Sequence, residues 1–373
     1  PKRNGLLYAG TERGMFLSFD DGANWKPFQL NLPIVPITDL TVKNNNLIAA
    51  TQGRSFWIID DLTPLHQLST EITSQNEILY KPMNSYRMGG NSRGKSRTEG
   101  ENHSGGVMVH FFVKDTIQKE VISLNFYEKS GKLIKTFSSK PDKEKNQEKL
   151  VLKKGANLFN WNMRYPDAEK VDGMILWWAS LNGPTAIPGT YKVILTKNNN
   201  TVAAQEFEIL KDPRSTSSIE DIKEQFNFTL SVQEKLTEIH KSLKQVGKVR
   251  EQLKHLKSII GKEEKYKGII DKMKSMEESI SKVENELYQT KNRSSQDPLN
   301  FPIKLNNKLG HLNALISLGD FKPTNQMLAF KTELFKLIDE QLSQLKLIFE
   351  KDVNELNQLV KESDIPYISV PKI

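Results

Sequence analysis

The stretch that decides the fold of the N-terminal third is Ser18-Phe19-Asp20-Asp21-Gly22-Ala23-Asn24-Trp25, which fits the pattern Ser-x-Asp-x-Gly-x-x-Trp. In a turn of this kind the Asp20 carboxylate is placed to accept hydrogen bonds from backbone N–H groups, and Gly22 supplies a positive φ at no steric cost. The ring of Trp25 is large enough to pack the turn onto a sheet. The stretch therefore predicts a tight turn inside a β-sheet.

This turn lies in a unit that recurs along the chain. Short runs of β-branched and aromatic residues alternate with turn signals from residue 5 to 61, which predicts about six antiparallel strands. The predicted strands are Leu6–Ala9, Met15–Phe19, Trp25–Leu30, Thr38–Val42, Leu47–Thr51 and Phe56–Ile59. The run Leu6–Ser18 aligns with Asn46–Ile58, although the second copy has no turn of the same pattern. A period near 40 residues with four short strands in each copy is typical of β-propeller blades.

These features resemble the end of a large family of bacterial propeller proteins. The pattern at residues 18–25 is that of the Asp-box, or bacterial neuraminidase repeat, with Asn24 where Thr is usual, and we expect this change to weaken one hydrogen bond of the turn. The stretches Tyr8–Gly14, Leu30–Leu40 and Gly53–Asp61 extend the resemblance to sortilin-like and exo-sialidase-like proteins, often labelled glycosyl hydrolases. The residues to which the resemblance gives structural roles are Ser18, Asp20, Gly22 and Trp25.

The resemblance also implies an architecture and a location. In that family the propeller is followed by an immunoglobulin-like domain and a helical C-terminal region, and the proteins are usually exported. It implies that this chain is a C-terminal fragment of an extracytoplasmic protein, either periplasmic, cell-surface or secreted. The remaining blades then lie upstream of Pro1, and they or a partner must cover the exposed edge strands of two partial blades.

Composition and periodicity divide the chain into four segments. Residues 1–85 are expected to form the last blades of the incomplete propeller, and residues 86–106, rich in glycine, serine and charge, a flexible linker. Residues 107–214 carry about seven short strands, the first of them Val107–Val113, which predicts an immunoglobulin-like β-sandwich. Residues 215–373 predict a helical bundle with a long antiparallel helical hairpin. The predicted fold class is therefore multidomain, with β-structure first and α-structure after.

Several signals define the predicted helices. A capping box at Ser217–Glu220 begins the first helix, and Gly261 ends it. The second helix has apolar residues at alternating spacings of three and four, which predicts a coiled-coil-like seam. Met273 and Met276 lie in this seam, which favours core packing over a binding surface. The seam residues are Tyr266, Ile269, Met273, Met276, Ile280, Val283 and Leu287.

The neighbouring residues Trp177 and Trp178 allow two interpretations. An exposed pair of indoles can stack on sugar rings. Alternatively, one Trp fills the sandwich core and the other covers a domain interface, which the frequency of aromatic residues in protein cores favours.

The sequence lacks most patterns that mark catalysis or cofactor binding. There are no cysteines, which excludes disulfides and thiolate chemistry. The six histidines have none of the spacings of a metal site, and no nucleotide-binding glycine pattern follows a strand, so we expect no metal and no cofactor. The net charge of +8 is spread along the chain, which argues against nucleic-acid binding. No uncharged apolar run approaches the roughly 18–20 residues of a membrane span.

The candidate ligand-binding residues lie in equivalent turns of the two repeat copies. Glu12 and Arg13 are in the first turn, and Arg54 is in the second. Turns of this kind can line one mouth of a propeller. The alternative is structural, with Arg54 paired to an acid of a neighbouring blade and Glu12 capping a turn. No catalytic residue is assigned. Glycoside hydrolysis requires two carboxylates about 5–9 Å apart, and the available ones are Glu12, Asp39, Asp60 and Asp61.

Two functional hypotheses follow. The first is a binding or interaction module, without catalytic activity, for a glycan or protein ligand. The second is a sialidase-like glycoside hydrolase whose catalytic residues lie mostly in upstream blades. The Asp-box supports the fold and not hydrolysis, because the turn is a structural element. Whether the whole protein is an enzyme is left open.

Overall fold

The computed structural model describes residues 2–88, 100, 102–115, 120–142, 147–261, 263–363 and 365. The chain has the predicted mixed class, with β-sheets first and α-helices after. It divides into two compact units, of which unit 1 is Pro1–Met163 with Ala186–Arg214 and unit 2 is Arg164–Thr185 with Ser215–Ile373. The predicted linker at 86–106 falls largely on residues 89–99 and 101, which lie outside the described residues.

Unit 1 consists of strands and two short helices. In chain order they are β1 (Leu7–Thr11), β2 (Gly14–Ser18), β3 (Lys26–Pro27), β4 (Ile37–Lys43), β5 (Asn46–Thr51), β6 (Phe56–Ile59), α1 (Thr63–Gln67), α2 (Thr70–Thr73), β7 (Glu77–Leu79), β8 (Ser85–Tyr86), β9 (Val107–Val113), β10 (Ile122–Glu128), β11 (Leu133–Ser138), β12 (Glu148–Lys149), β13 (Gly155–Trp161), β14 (Gly189–Lys197) and β15 (Asn200–Leu210).

Strands β1 to β6 form two small antiparallel sheets, with the orders β1-β2-β3 and β4-β5-β6. Buried side chains of both sheets, among them Met15 and Leu47, share one core cluster. The strand predicted at Trp25–Leu30 shortens to β3, because Pro27 has no N–H for a ladder and Leu30 has a φ of +45°. Each sheet therefore has three strands.

Strands β7 to β15 form a second β-layered region. One sheet has the order β12-β11-β10-β14-β15-β8 and the other the order β13-β9-β7. The two sheets share an aromatic core, in which Trp161 of β13 stacks on Phe126 of β10 with ring centroids 4.5 Å apart. Trp161 is 0% exposed. The prediction that Trp177 or Trp178 fills this core is therefore wrong, since both belong to the segment Arg164–Thr185 of unit 2.

Unit 2 is helical. Its helices are α3 (Ile219–Ile260), α4 (Lys267–Leu287), α5 (Leu305–Ile316), α6 (Asn325–Leu347) and α7 (Val353–Glu362), with 3₁₀ turns at Glu264–Tyr266 and Asp297–Leu299 and a π turn at Ile348–Asp352 between α6 and α7. No helix among the described residues combines the length and the apolar character that crossing a membrane requires.

The helix signals in the sequence are largely confirmed. A capping box begins α3, but it uses Ser218 and Asp221, one residue later than predicted, because Ser218 takes the extended N-cap conformation. Gly261, with a φ of +61°, ends α3 as predicted. All seven seam residues are buried, which confirms the seam. Ion pairs from Arg250 of α3 to Glu277 and Glu284 of α4 join the two helices.

Candidate functional site

The Asp-box turn is held by the Asp20 carboxylate. Its Oδ1 accepts hydrogen bonds from Ser18 Oγ at 2.7 Å and from the Asn24 N–H at 2.8 Å, and its Oδ2 accepts one from Asn24 Nδ2 at 2.8 Å. The bonds from Asn24 and then Ser18 lower the pKa of Asp20 to about 2. The sequence predicts that Asn24 weakens one hydrogen bond of the turn, and this weakening is not found. The Asn24 side chain adds a hydrogen bond to the Asp20 carboxylate, beside the bond from its backbone N–H.

The backbone of the same turn has the conformation that its residues favour. Gly22 has a φ of +91°, and a methyl group at this position would lie 3.5 Å from the ring of Trp25. Trp25 covers the turn from one side and stays 43% exposed. Asp20 is fully engaged in turn hydrogen bonds, so these residues have a structural role in the described chain.

The two turns with the candidate ligand-binding residues lie at the same end of the two small sheets. β1 runs into the first turn, and a methyl group on Gly10 near the end of β1 would lie 2.6 Å from Ile37 Cγ2 at the start of β4. Ile37 pairs with Thr51, the last residue of β5 before the second turn. Glu12, Arg13 and Arg54 therefore belong to one edge of these sheets, which we call the turn edge.

All three side chains of the turn edge are exposed. The Arg13 N–H donates to Thr11 Oγ1, and the Arg54 carbonyl accepts from Trp57 Nε1 at 2.9 Å, so hydrogen bonds between backbone and side-chain groups fix both turns. Neither guanidinium has an acidic partner within the described part of the chain, and Glu12 caps no turn there. The structural roles considered for Arg54 and Glu12 are thus not seen, and both arginine charges face solvent.

A buried carboxylate lies close to a histidine in unit 1. Asp61 Oδ1 accepts hydrogen bonds from Asn45 Nδ2 and the Thr63 N–H, both at 2.8 Å. Asp61 Oδ2 lies 3.4 Å from Nε2 of His110 on β9. Burial raises the pKa of Asp61, but the nearby His110 and the hydrogen bonds from Thr63 outweigh this effect, and the pKa is lowered. A general acid needs a raised pKa, so Asp61 has the environment of a structural carboxylate.

The other carboxylates considered for hydrolysis do not form a recognisable acid–base pair. Asp39 is exposed on β4, and its Oδ1 accepts from the Leu40 N–H at 2.9 Å. Glu12 is exposed in its turn, and Asp60 is partly buried beside Asp61. No group of three or more metal-ligating side chains is found in the described ranges.

Trp177 and Trp178 lie in a loop that buried asparagines of α5 fix to the helices. Asn307 accepts from the Trp177 N–H at 2.7 Å and donates to the Trp177 carbonyl at 2.9 Å. Asn313 Nδ2 donates to the carbonyls of Ser180 and Asn182, both at 3.0 Å. We call residues 173–183 the tryptophan loop.

The two indoles of the tryptophan loop differ in environment. Trp177 is half-buried, whereas Trp178 is 75% exposed, and their ring centroids are 6.1 Å apart with planes tilted by 56°. Trp178 has a φ of +51°, an uncommon conformation for a bulky residue. Its carbonyl is bonded by Nδ1 of His311 at 2.9 Å.

Sequence reasoning missed the polar residues that hold these arrangements. His110 interrupts an apolar strand, and three asparagines interrupt the apolar run of α5, which are Asn306, Asn307 and Asn313. A polar side chain at a core position signals a hydrogen-bond partner, because burial without one is costly. The sequence does not show which partner it is.

No protein-family model matches the chain, and no curated protein matches it. The resemblance to Asp-box propeller proteins thus rests on the residues quoted above and stays a prediction.

Proposed function

We propose that the chain is part of an extracytoplasmic propeller protein that binds an acidic ligand at the turn edge. In this proposal the two small sheets are blades of an Asp-box β-propeller, strands β7 to β15 form an immunoglobulin-like sandwich, and unit 2 is a helical bundle that follows them. The hydrogen bonds of the Asp20 turn support the Asp-box part of the proposal, because they satisfy the polar groups of the motif without any ligand.

The outer face of the second small sheet supports a partner built of further blades. Phe56 is 79% exposed on β6, and Ile58 lies two residues further on the same face. An edge strand with exposed apolar side chains favours association with another sheet. Upstream blades of the same protein are the proposed cover for this face.

The observation that carries the binding function is the turn edge. Arg13 and Arg54 come from different sheets, both are exposed, and neither guanidinium is paired with an acid in the described chain. A guanidinium binds carboxylates in a two-pronged geometry, so two of them on one edge suit a ligand with several negative groups. The ligand classes that fit are an acidic glycan and an acidic protein surface, and the glycan is the one to test first.

The test compares two double variants with equal loss of charge. Polygalacturonate, a carboxylated polysaccharide, is titrated into the parent chain and into the two variants. The test variant is Arg13→Ala/Arg54→Ala. The control variant is Lys26→Ala/Lys43→Ala, which removes two exposed lysines of the same sheets. Because charge-assisted hydrogen bonds contribute about 1.5–3 kcal/mol each, loss of both arginines should weaken binding at least about tenfold. The lysine variant should bind within about twofold of the parent. Equal weakening in both variants would mean that net charge, and not the turn edge, attracts the polymer.

The hydrolase alternative gains no support from the described carboxylates. Asp61 is buried and its pKa is lowered, and Glu12 and Asp39 are exposed without a shared cleft in the described chain. A sialidase-like activity would require residues in the proposed upstream blades.

A further inference from the structure

We propose that the tryptophan loop is a second binding site, where the exposed indole face of Trp178 stacks on the ring of a neutral sugar. This site is in unit 2 and does not depend on the turn edge of unit 1, which we propose for acidic ligands.

Trp178 leaves a large aromatic side chain exposed to solvent. A Trp side chain carries about 150–250 Å² of largely apolar surface, and leaving it in water gives up the stabilisation that burial provides. Trp161 of the same chain is fully buried, whereas Trp178 is 75% exposed. An exposed indole of this kind is expected where a ligand covers it.

The tryptophan loop holds this residue in a fixed backbone conformation. A positive φ at a residue other than glycine costs about 1–2 kcal/mol, and such strain is concentrated at ligand-binding sites. At Trp178 the conformation is maintained from α5, through Asn307 on one side and His311 at the carbonyl. A loop ordered before binding loses little entropy when the ligand arrives, which favours affinity.

The backbone of the tryptophan loop packs closely on α5. The Ser180 N–H donates to the Gly310 carbonyl at 2.8 Å, and a methyl group at Gly310 would lie 2.9 Å from Cβ of Ala179. The loop backbone thus lies directly on α5, at a glycine that permits the approach. The aromatic side chain is left on the outside of an anchored segment.

The chemistry of the loop favours a neutral sugar. Residues 173–183 include no Asp, Glu, Lys or Arg, in a chain that is 26% charged. A quaternary ammonium ligand or an ionic protein surface would find no counter-charge in the loop itself. The C–H groups on one face of a sugar ring carry partial positive charge and suit the negative face of an indole. The imidazole of His311, whose Nδ1 bonds the Trp178 carbonyl at 2.9 Å, is a polar group of the kind suited to hydroxyl groups.

The test uses defined sugars and a matched aromatic control. Cellohexaose, chitohexaose and mannohexaose are each added to the parent chain, and saturation-transfer NMR reports contact between aromatic protons and sugar ring protons. Dissociation constants follow from tryptophan fluorescence titration. The variants are Trp178→Ala, Trp178→Tyr and Phe56→Ala, since Phe56 is an exposed aromatic of similar accessibility, at 79%, in unit 1.

We expect at least one hexasaccharide to bind the parent, Trp178→Ala to weaken its affinity at least tenfold, and Trp178→Tyr to retain most of it. Phe56→Ala and Arg13→Ala/Arg54→Ala should bind as the parent does, which separates this site from the turn edge. Far-UV circular dichroism of Trp178→Ala should match the parent, because the indole contributes little buried area. Absence of binding by all three sugars, or equal binding by Trp178→Ala, would overturn the proposal, the first result favouring a protein partner for Trp178.

Discussion

The anchoring of the tryptophan loop by Asn307 leads to a measurable loss of stability. Replacing Asn307 by Ala removes the acceptor of the Trp177 N–H at 2.7 Å and the donor to its carbonyl at 2.9 Å. Asn307 is buried, so water does not replace its amide without rearrangement of the loop. A buried group left without its partner costs about 1–3 kcal/mol. With Trp177 half-buried, the two losses together should lower the free energy of unfolding by about 2–4 kcal/mol.

Urea denaturation followed by circular dichroism at 222 nm is a suitable assay, because the long helices of the described chain all belong to unit 2. The matched control is Lys308→Ala, the exposed neighbour on α5, which should change stability by less than about 0.5 kcal/mol. Hydrogen exchange gives a local measurement, in which the Trp177 amide should lose protection in Asn307→Ala only. If Asn307→Ala unfolds within about 0.5 kcal/mol of the parent with Trp177 protection intact, the anchoring argument is refuted.

Three further predictions concern other parts of the chain. Burial lowers the pKa of His240 below its usual 6.5, so the folded state disfavours the charged form of this side chain. Unit 2 should therefore lose stability as the pH falls below about 6.5. Urea titrations at pH 7.5 and 5.5 should show a smaller loss of unfolding free energy in His240→Gln than in the parent, and equal losses would contradict this. The Asp20 carboxylate has a pKa of about 2, so it should hold the turn until the pH falls below 3.8. The side-chain amide resonances of Asn24 should stay constant down to pH 3.8 and shift as the pH approaches 2. A shift centred near pH 4 would show that the hydrogen bonds to Asp20 are weak in solution. Gly10→Val should destabilise unit 1 by about 1–3 kcal/mol, because its Cβ would lie 2.6 Å from Ile37 Cγ2. Hydrogen exchange of the unit 1 backbone amides should then be faster than in the parent. Unchanged hydrogen exchange would mean that the two small sheets are not closely packed at Gly10.

Much of the secondary structure was predictable from local signals. The bounds of β6 and β9 match the predicted runs Phe56–Ile59 and Val107–Val113, because β-branched and aromatic residues end there at turn residues. The seam of α4 follows from spacing alone, since residues three and four apart share a helix face. The shortened β3 shows the limit of such signals, because Pro27 and the positive φ of Leu30 outweigh the apolar composition.

Long-range pairing was not predictable in the same way. The sequence identified Glu12, Arg13 and Arg54 as equivalent turn residues, but their common edge depends on the approach of Gly10 to Ile37. The sequence predicts that the tryptophan loop belongs to the sandwich, since an apolar run does not reveal which unit will contact it. Its true environment depends on hydrogen bonds from residues about 130 positions later.

The division of the chain has a practical consequence for dissecting it. The backbone passes from one unit to the other three times, between residues 163 and 164, between 185 and 186, and between 214 and 215. A recombinant fragment that starts at Ser215 therefore contains α3 to α7 but lacks the segment 164–185, which is inserted between β13 and β14 and satisfies Asn307 and Asn313. Such a fragment would leave the side-chain amides of Asn307 and Asn313 without these partners. A fusion that joins residues 164–185 through a linker to Ser215 is the better way to isolate the helical unit.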